Sequence, residues 1–286
     1  RAHDPSEAAR ALERAAATGD PDARATWLKR AATLAGKGED GARMRFDMLL
    51  RAMNVRPDPG IVQDVARAMG DVIAVSGDLA LAALRFGNAV NAALPRLDGP
   101  EGGRSAIAMA RVAIEVLKEI PLALAALERA MKANGDIDEY ATMTQHVAVL
   151  ASAPEAAEAF LAKVRAATDQ PYSSLGAPVL RLASALAKAL GQRDTATALL
   201  VEAARRAPDD EALVHTAMAA AEELGSDSMR ASVDDALPVA RGVEALLHLA
   251  EKHEREGEAS QAVAALERAI ATGELTADER DWAVTH

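Results

Sequence analysis

An eight-residue pattern, AxxALERA, occurs three times in this chain of 286 residues, beginning at Ala8, Ala123 and Ala262. Weaker versions of it place large apolar residues at positions 12, 49, 86, 127, 161, 200, 233 and 266, at intervals of 33 to 41 residues. A period near 34 residues is the length of a helix-turn-helix repeat. Within the pattern, apolar residues recur at i, i+3, i+4 and i+7, which is the buried stripe of a helix. The chain is therefore predicted to consist of consecutive pairs of amphipathic helices.

Glycine and proline fall where such pairs need turns. The candidates for turns within a repeat are Gly77-Asp78, Gly191-Gln192, Gly225-Ser226 and Gly257-Glu258, whereas Pro57, Pro208 and Pro238 are expected to open the next pair. The longer intervals are explained by loops, which we expect at residues 95–103 and 169–174.

The composition favours helices and excludes other classes. The chain has 70 alanines, 31 leucines, only 2% aromatic residues and no cysteine. Because β-branched and aromatic residues are sparse, an all-β fold lacks the side chains that favour a sheet. Half of the residues are apolar, which argues against disorder. We therefore predict an all-α protein.

The pattern resembles the tetratricopeptide repeat (TPR), a helix-turn-helix repeat with small and large apolar residues at fixed positions of its two helices. The residues that carry the resemblance are Leu246, Leu249, Ala250 and His253 on a first helix with Ala262, Leu266 and Ala269 on a second; Met69, Gly70 and Ile73 with Ala82, Phe86 and Ala89; and Ala196, Leu200, Ala203 and Pro208. The chain departs from the consensus in having Leu or Ala where the family prefers aromatic residues. Its register also slips by two or three residues between Trp27 and Asp47.

This resemblance covers roughly residues 8 to 282 and implies a right-handed α-solenoid of about eight repeats. We expect a single continuous array over residues 1–286 without a hinge. The chain begins at Arg1 rather than Met and ends at His286, shortly after what reads as the start of a new helix. It is therefore expected to be part of a longer protein.

In such a solenoid the first helices of the repeats line a concave groove that takes a peptide or a partner's helix. The residues at the groove positions of the best-matching repeats are Arg181, Lys188, Glu244, Leu247, Glu251, Glu254 and Arg255, and neighbouring rows add Met218 and His146. The groove is expected to be basic around Arg181 and acidic around Glu244, and so to suit a charged or amphipathic segment.

Two glycine-rich segments could suggest phosphate binding. Gly36–Gly41 spells GxGxxG, but a dinucleotide site needs a strand before the glycines, and the preceding segment reads as helical. Residues 99–105, GPEGGRS, are one residue short of a phosphate loop and have Arg104 in place of the required lysine. We expect a turn between helices at Gly36–Gly41, no strand before residues 99–105, and no cofactor.

No other residue cluster indicates catalysis or metal binding. His248 and His253 are five residues apart, whereas two metal ligands on one helix face need an i, i+4 spacing. His253 is expected to be a partly buried packing residue and His248 an exposed one. Glu251, Glu254 and Glu258 share a helix face, which is more typical of a solvated surface than of an acid–base site.

The sequence therefore predicts a non-catalytic protein–protein interaction module or scaffold. The alternative is a regulatory or sensor segment of a larger enzyme or transcription regulator that binds a peptide or a small ligand. The net charge of −11 argues against nucleic acid as a partner, and no apolar run reaches the ~20 residues of a membrane span. We expect a cytoplasmic location, with a periplasmic or cell-envelope location in an exported bacterial protein as the alternative.

If Arg181 and Lys188 line the groove, the double substitution Arg181→Glu and Lys188→Glu should weaken partner binding while leaving helicity and melting temperature nearly unchanged. Affinity capture of partners, compared between the two forms, measures the effect. Unchanged capture would remove these two residues from the groove.

Overall fold

The computed structural model describes residues 5–135, 137–168, 175–208, 210–226 and 259–272, together with 229, 233, 247, 250 and 253–255. Within these residues there is no strand, so the described chain is all-α as predicted. None of its helices is long and apolar enough to cross a membrane.

The helices are α1 (Pro5–Ala15), α2 (Pro21–Leu34), α3 (Gly38–Val55), α4 (Pro59–Ser76), α5 (Leu79–Ala93), α6 (Gly99–Val112), α7 (Ile120–Ala133), α8 (Tyr140–Met143), α9 (Val147–Leu150), α10 (Pro154–Thr168), α11 (Ala177–Ala189), α12 (Arg193–Arg206), α13 (Glu211–Leu224) and α14 (Ala259–Thr272).

Local sequence signals explain where these helices begin. Before several of them an aspartate side chain accepts a hydrogen bond from a backbone N–H of the first turn, which satisfies a donor that the helix itself cannot pair. These capping residues are Asp20, Asp58, Asp78, Asp98 and Asp210. Proline in the first turn of α2, α4, α6, α7 and α11 adds a fixed φ where no hydrogen-bond donor is needed.

The turns between helices lie largely where the sequence predicts them. Gly77 and Gly225 end α4 and α13 with φ of 69° and 67°, a left-handed conformation that glycine adopts without strain. Gly191 follows α11, and Pro57 and Pro208 lie between helices. Gly257-Glu258 and Pro238 lie outside the described residues.

The predicted apolar anchors fall on every second helix from α1 to α7 and then on α10 and α12. Those at 49, 86, 127, 161, 233 and 266 are buried, and those at 12 and 200 are half-buried. Between the anchors from 12 to 233 lie α2, α4, α6, the α8–α9 segment, α11 and α13, so each of these intervals contains one further helical segment. The interval from 233 to 266 lies largely outside the described residues. The described chain is thus a helical repeat protein built of consecutive helix pairs.

The chain forms two compact units, residues 1–190 and 191–286. In the first unit α1 packs on α2, α2 on α3 and α3 on α4, and the packing continues through α4, α6, α7, α10 and α11. Helix α5 packs mainly on α3 and on the 3₁₀ turn at residues 94–96 that follows it, rather than on α6. In the second unit α12 packs on α13, and Leu247, Ala250, Ala265 and Leu266 form a small apolar cluster.

The structure corrects the predicted loop at residues 95–103. Residues 94–96 form a short 3₁₀ turn, and α6 begins at Gly99, so the second half of this stretch is helical. Asp98 caps the helix and Pro100 lies in its first turn, which outweighs the low helix propensity of the glycines. A side chain at Gly102 or Gly103 would collide with Leu97 or Ile137, which explains glycine there. The other predicted loop, 169–174, lies outside the described residues.

The helical segment between α7 and α10 is broken into α8, a 3₁₀ turn (Thr144–His146) and α9. Tyr140 anchors this segment, because its side chain is fully buried and its hydroxyl donates a hydrogen bond to the Leu127 carbonyl over 3.0 Å. Burial raises the pKa of Tyr140, so the phenol keeps the proton that it donates.

Glu128 joins α7 to α10. Its carboxylate accepts hydrogen bonds from Lys132, over 2.6 Å, and from Lys163 of α10. Burial raises the pKa of Glu128, but the hydrogen bonds and charges of the two lysines together outweigh it, so the pKa lies below its ordinary value of 4.5.

Replacing Glu128→Gln should lower the free energy of unfolding by about 0.5 kcal/mol at neutral pH, the size expected of exposed ion pairs. A carboxyl whose pKa is lowered by folding contributes stability above its unfolded pKa, and this contribution is lost as the pH falls through the folded value. The difference from wild type should therefore shrink below pH 4.5 in urea titrations. An equal, pH-dependent loss in the control Glu223→Gln, an exposed glutamate of α13, would contradict this assignment.

The GxGxxG segment begins in the turn between α2 and α3 that was predicted there, and its last four residues form the first turn of α3; helix α2, not a strand, precedes it. Gly38 has a φ of 83°, and Gly41 lies buried in the first turn of α3. A Cβ atom on Gly41 would collide with the backbone carbonyl of Gly36. The spacing of these glycines is therefore explained by a tight entry into α3.

We expect Gly41→Ala to destabilise the protein by about 1–3 kcal/mol, the usual cost of overpacking, since the obstacle is backbone. Gly70→Ala is the matched control: it lies exposed within α4 and its Cβ would meet nothing within 4 Å. It should stabilise the helix by about 0.5–1 kcal/mol. Urea denaturation of both variants tests this, and equal effects would be inconsistent with the close contact.

Candidate functional site

Arg181 and Lys188, predicted from sequence to line a groove, both lie exposed on α11. They are seven residues apart, which is about two helical turns, so they share one side of the helix. Helix α11 is held in place by α8, α9 and α10, against which its other face is buried. The structure therefore brings these two cationic residues together on a solvent-facing stripe.

His146 lies in the 3₁₀ turn that contacts α11. Its Nε2 atom is 3.3 Å from Glu115 Oε1, and only 15% of the His146 side chain is exposed. Glu115 belongs to a π-helical turn, Ala113–Leu117, that ends α6 and is followed by Lys118 with a φ of 61°. The structure thus gives His146 a packed position beside Glu115.

The other predicted groove residues belong to the second unit. Met218 is half-buried on α13, and Glu254 and Arg255 are exposed. Glu244 and Glu251 lie outside the described residues.

Leu247 and His253 have packing roles in that unit. Leu247 packs against Ala250, Ala265 and Leu266. His253 is 8% exposed, so it is buried, somewhat more than the partly buried position predicted for it. His248 lies outside the described residues.

A groove of about 780 Å³ lies between α2 and α4 in the first unit, at residues that sequence reasoning did not single out. Its floor is apolar and consists of the buried residues Ala32, Leu49 and Ala68. Polar and charged side chains make up the rest of its lining: Thr26, Lys29, Arg30, Thr33, Arg45, Asp64, Arg67 and Asp71. We call this surface the α2–α4 groove.

Helical spacing explains how these side chains come to face one another. On α2 the polar lining residues fall between Thr26 and Thr33 at i, i+3, i+4 and i+7, and on α4 the lining residues fall between Asp64 and Asp71 at the same spacing. Each set therefore occupies one face of its helix. Because α2 and α4 are each joined to α3 by a short turn and pack on it, they run in the same direction and α3 closes the groove from behind.

Ion pairs connect the walls of the groove. Asp64 contacts two cations, Lys29 of α2 at 3.6 Å and Arg67 of its own helix at 2.9 Å. Arg45 of α3 contacts Asp71 of α4 at 2.7 Å. These carboxylates therefore form ion pairs between α2 and α4 and between α3 and α4 at the groove.

The charges of the groove do not balance. Four cationic residues, Lys29, Arg30, Arg45 and Arg67, line it against two carboxylates. Arg30 is exposed, and its side chain forms no hydrogen bond or ion pair within the part of the chain that the structure describes. The groove thus has a surplus of positive charge on a chain whose net charge is −11.

A second groove, of about 820 Å³, lies on the opposite set of helices, α1, α3 and α5. Its lining contains three arginines and three carboxylates, so its formal charges cancel: Arg10, Arg51 and Arg85 with Glu13, Asp40 and Asp47. Arg51 is paired with Glu13, and Arg85 with Asp47, and Arg85 also lies 5.5 Å from the centre of the Phe46 ring. Charge alone therefore gives this groove no preference for a ligand.

The two threonines of the α2–α4 groove form hydrogen bonds within their own helix. The hydroxyls of Thr26 and Thr33 donate hydrogen bonds to backbone carbonyls of their own helix, over 2.9 and 2.8 Å. Neither hydroxyl faces a histidine, because the lining contains none. Across the described residues, no three histidine, aspartate or glutamate side chains come together as a metal site.

A sequence signal for this groove exists in the spacing of Thr26, Lys29, Arg30 and Thr33. The repeat that contains α2 and α3 matches the consensus poorly, since its register slips between Trp27 and Asp47. The groove residues that the consensus predicts therefore lie on later repeats, mainly near the C-terminus. The consensus predicts no groove residue on α2 or α4.

No protein-family model matches the chain, and no curated protein matches it in sequence. Among solved structures, it is similar to a circular tandem repeat protein with novel repeat topology and enhanced subunit contact surfaces. That match has 15% identity and a TM-score of 0.17, and it covers 92% of this chain and 62% of the other. The chain thus spans less than two thirds of that protein's length. A match at this TM-score carries no argument about function.

Proposed function

We propose that this chain is a TPR-like right-handed solenoid of about eight helix pairs that acts as a non-catalytic protein–protein interaction module or scaffold. The observation that carries the proposal is the α2–α4 groove, in which two parallel helices present matching faces above an apolar floor. A segment of a partner protein binds between these faces.

The lining of the groove supports a peptide rather than a small molecule. Small-molecule sites are usually enclosed, with a few polar groups that fix orientation. This groove is instead open to solvent, and eight of its eleven lining residues carry polar or charged groups along its walls. An extended or helical segment can satisfy such a lining along its length, with its own polar groups on both walls.

The carboxylates of the groove support a structural role. Asp64 and Asp71 each contact a cationic side chain already. Such pairs position helices and partner groups, whereas acid–base catalysis uses a carboxyl that is in reach of a substrate proton. Arg181 and Lys188 on α11 remain candidates for a further part of the binding surface.

Filling the groove should abolish partner binding. Thr33 is exposed on its wall, so Thr33→Trp should cost less than about 0.5 kcal/mol of stability while blocking access. We expect affinity capture from an extract of the source organism to yield a partner with the wild-type chain and at least about tenfold less of it with Thr33→Trp.

The matched control is Thr216→Trp, an exposed threonine of α13 in the other unit. This variant should retain the partner at wild-type levels. Capture of the same proteins by all three forms would rule out the α2–α4 groove as the binding site, and circular dichroism verifies that both variants are folded.

A further inference from the structure

The charge surplus of the α2–α4 groove identifies the kind of segment that fits it, on the premise that the groove binds a partner protein. Four cations face two carboxylates there, on a protein that is acidic overall. A groove with a surplus of positive charge attracts segments that carry negative charge.

The cations are available to a ligand. Arg67 is 76% exposed and Lys29 is 43% exposed, and the Lys29–Asp64 separation of 3.6 Å is long for a charged hydrogen bond. Exposed ion pairs of this kind stabilise a protein only slightly, so an incoming carboxylate can share or replace Asp64 at little cost. Arg30 needs no such exchange, because its guanidinium has no partner within the described residues.

The length of the groove limits the segment. From Thr26 to Thr33 the wall spans seven residues of helix, which is about 10 Å. An extended chain covers about 3.3 Å per residue, so the groove holds about three residues. Successive side chains of an extended segment point to opposite sides. In a segment of three acidic residues, the first and third side chains would therefore point to one wall, where Lys29 and Arg30 of α2 lie. The second side chain would point to the opposite wall, where Arg67 of α4 lies.

We propose that the α2–α4 groove binds a short acidic segment of a partner protein, about three consecutive Asp or Glu residues in extended conformation, through Lys29, Arg30 and Arg67. Recognition uses the side-chain carboxylates and does not require a free chain terminus. Ala32, Leu49 and Ala68 lie under the backbone of the bound segment.

The test is fluorescence anisotropy with a defined probe and the full chain. The probe is a labelled peptide, acetylated and amidated at its ends, with three consecutive glutamates between serines. Its control replaces the glutamates by glutamine. At low ionic strength the glutamate peptide should bind at least about tenfold more tightly than the glutamine peptide, and added salt should weaken only the former.

Three substitutions in the protein locate the binding. Arg30→Glu should weaken binding of the glutamate peptide by about tenfold or more, whereas Arg14→Glu, the same charge reversal at an exposed position of α1, should change it less than about twofold. Asp64→Asn removes the carboxylate that forms ion pairs with Lys29 and Arg67, which leaves both cations to the peptide. This variant should therefore bind the glutamate peptide more tightly. A gain of affinity cannot result from unfolding, whereas a loss of affinity can, so this variant separates an effect on binding from an effect on folding.

Equal binding of the two peptides, no binding, or equal effects of Arg30→Glu and Arg14→Glu would overturn the proposal. Tighter binding of a single-stranded DNA oligonucleotide that is equally sensitive to Arg30→Glu would overturn it in favour of nucleic acid. These outcomes are separate from the fate of the proposed function. A partner lost in Thr33→Trp, with no binding of the acidic peptide, would retain the interaction module and reject only the acidic segment.

Discussion

Close packing of small side chains holds the described helices together. Alanine occupies a large part of several buried stripes, as at Ala25, Ala31 and Ala32 on α2. A methyl group lets the axes of neighbouring helices approach closely, and larger residues such as Leu28 fill the spaces between turns. A single helix pair of this kind buries too little surface to offset the entropy of ordering, about 1–2 kcal/mol per residue. Each pair therefore depends on the next, and the groove between α2 and α4 exists because both helices pack on α3.

The periodic part of this arrangement could be read from the sequence, because it follows from local chemistry. AxxALERA places apolar residues on one helix face, and Gly77 and Gly225 end helices through a backbone conformation that other residues adopt only with strain. The start of α6 was misread, since Pro and Gly indicate a loop unless the cap at Asp98 and the contact at Ile137 are known. That contact joins residues far apart in sequence, and no local pattern reveals it.

The sequence did not locate the α2–α4 groove. The groove residues expected from the family pattern lie on later repeats and stay a prediction, whereas the structure has this charged groove between α2 and α4. Its residues lie in the repeat that departs most from the consensus, so a family pattern did not locate them. Net charge was also a poor guide: a value of −11 describes the whole chain, whereas the electrostatic potential at Arg30 depends on a few side chains within the Debye length of about 10 Å.

The break at α8 and α9 sets a limit on cooperativity within the first unit. A helix of four residues is not stable by itself, because the entropy lost in forming the first turn outweighs the free energy of its few hydrogen bonds. Order in this segment therefore depends on Tyr140 and on packing against α11. Local opening at Tyr140 would break the hydrogen bond that ties this segment to the Leu127 carbonyl of α7. We therefore expect the amide protons of α8 and α9 to exchange with solvent before those of the helices that carry the groove.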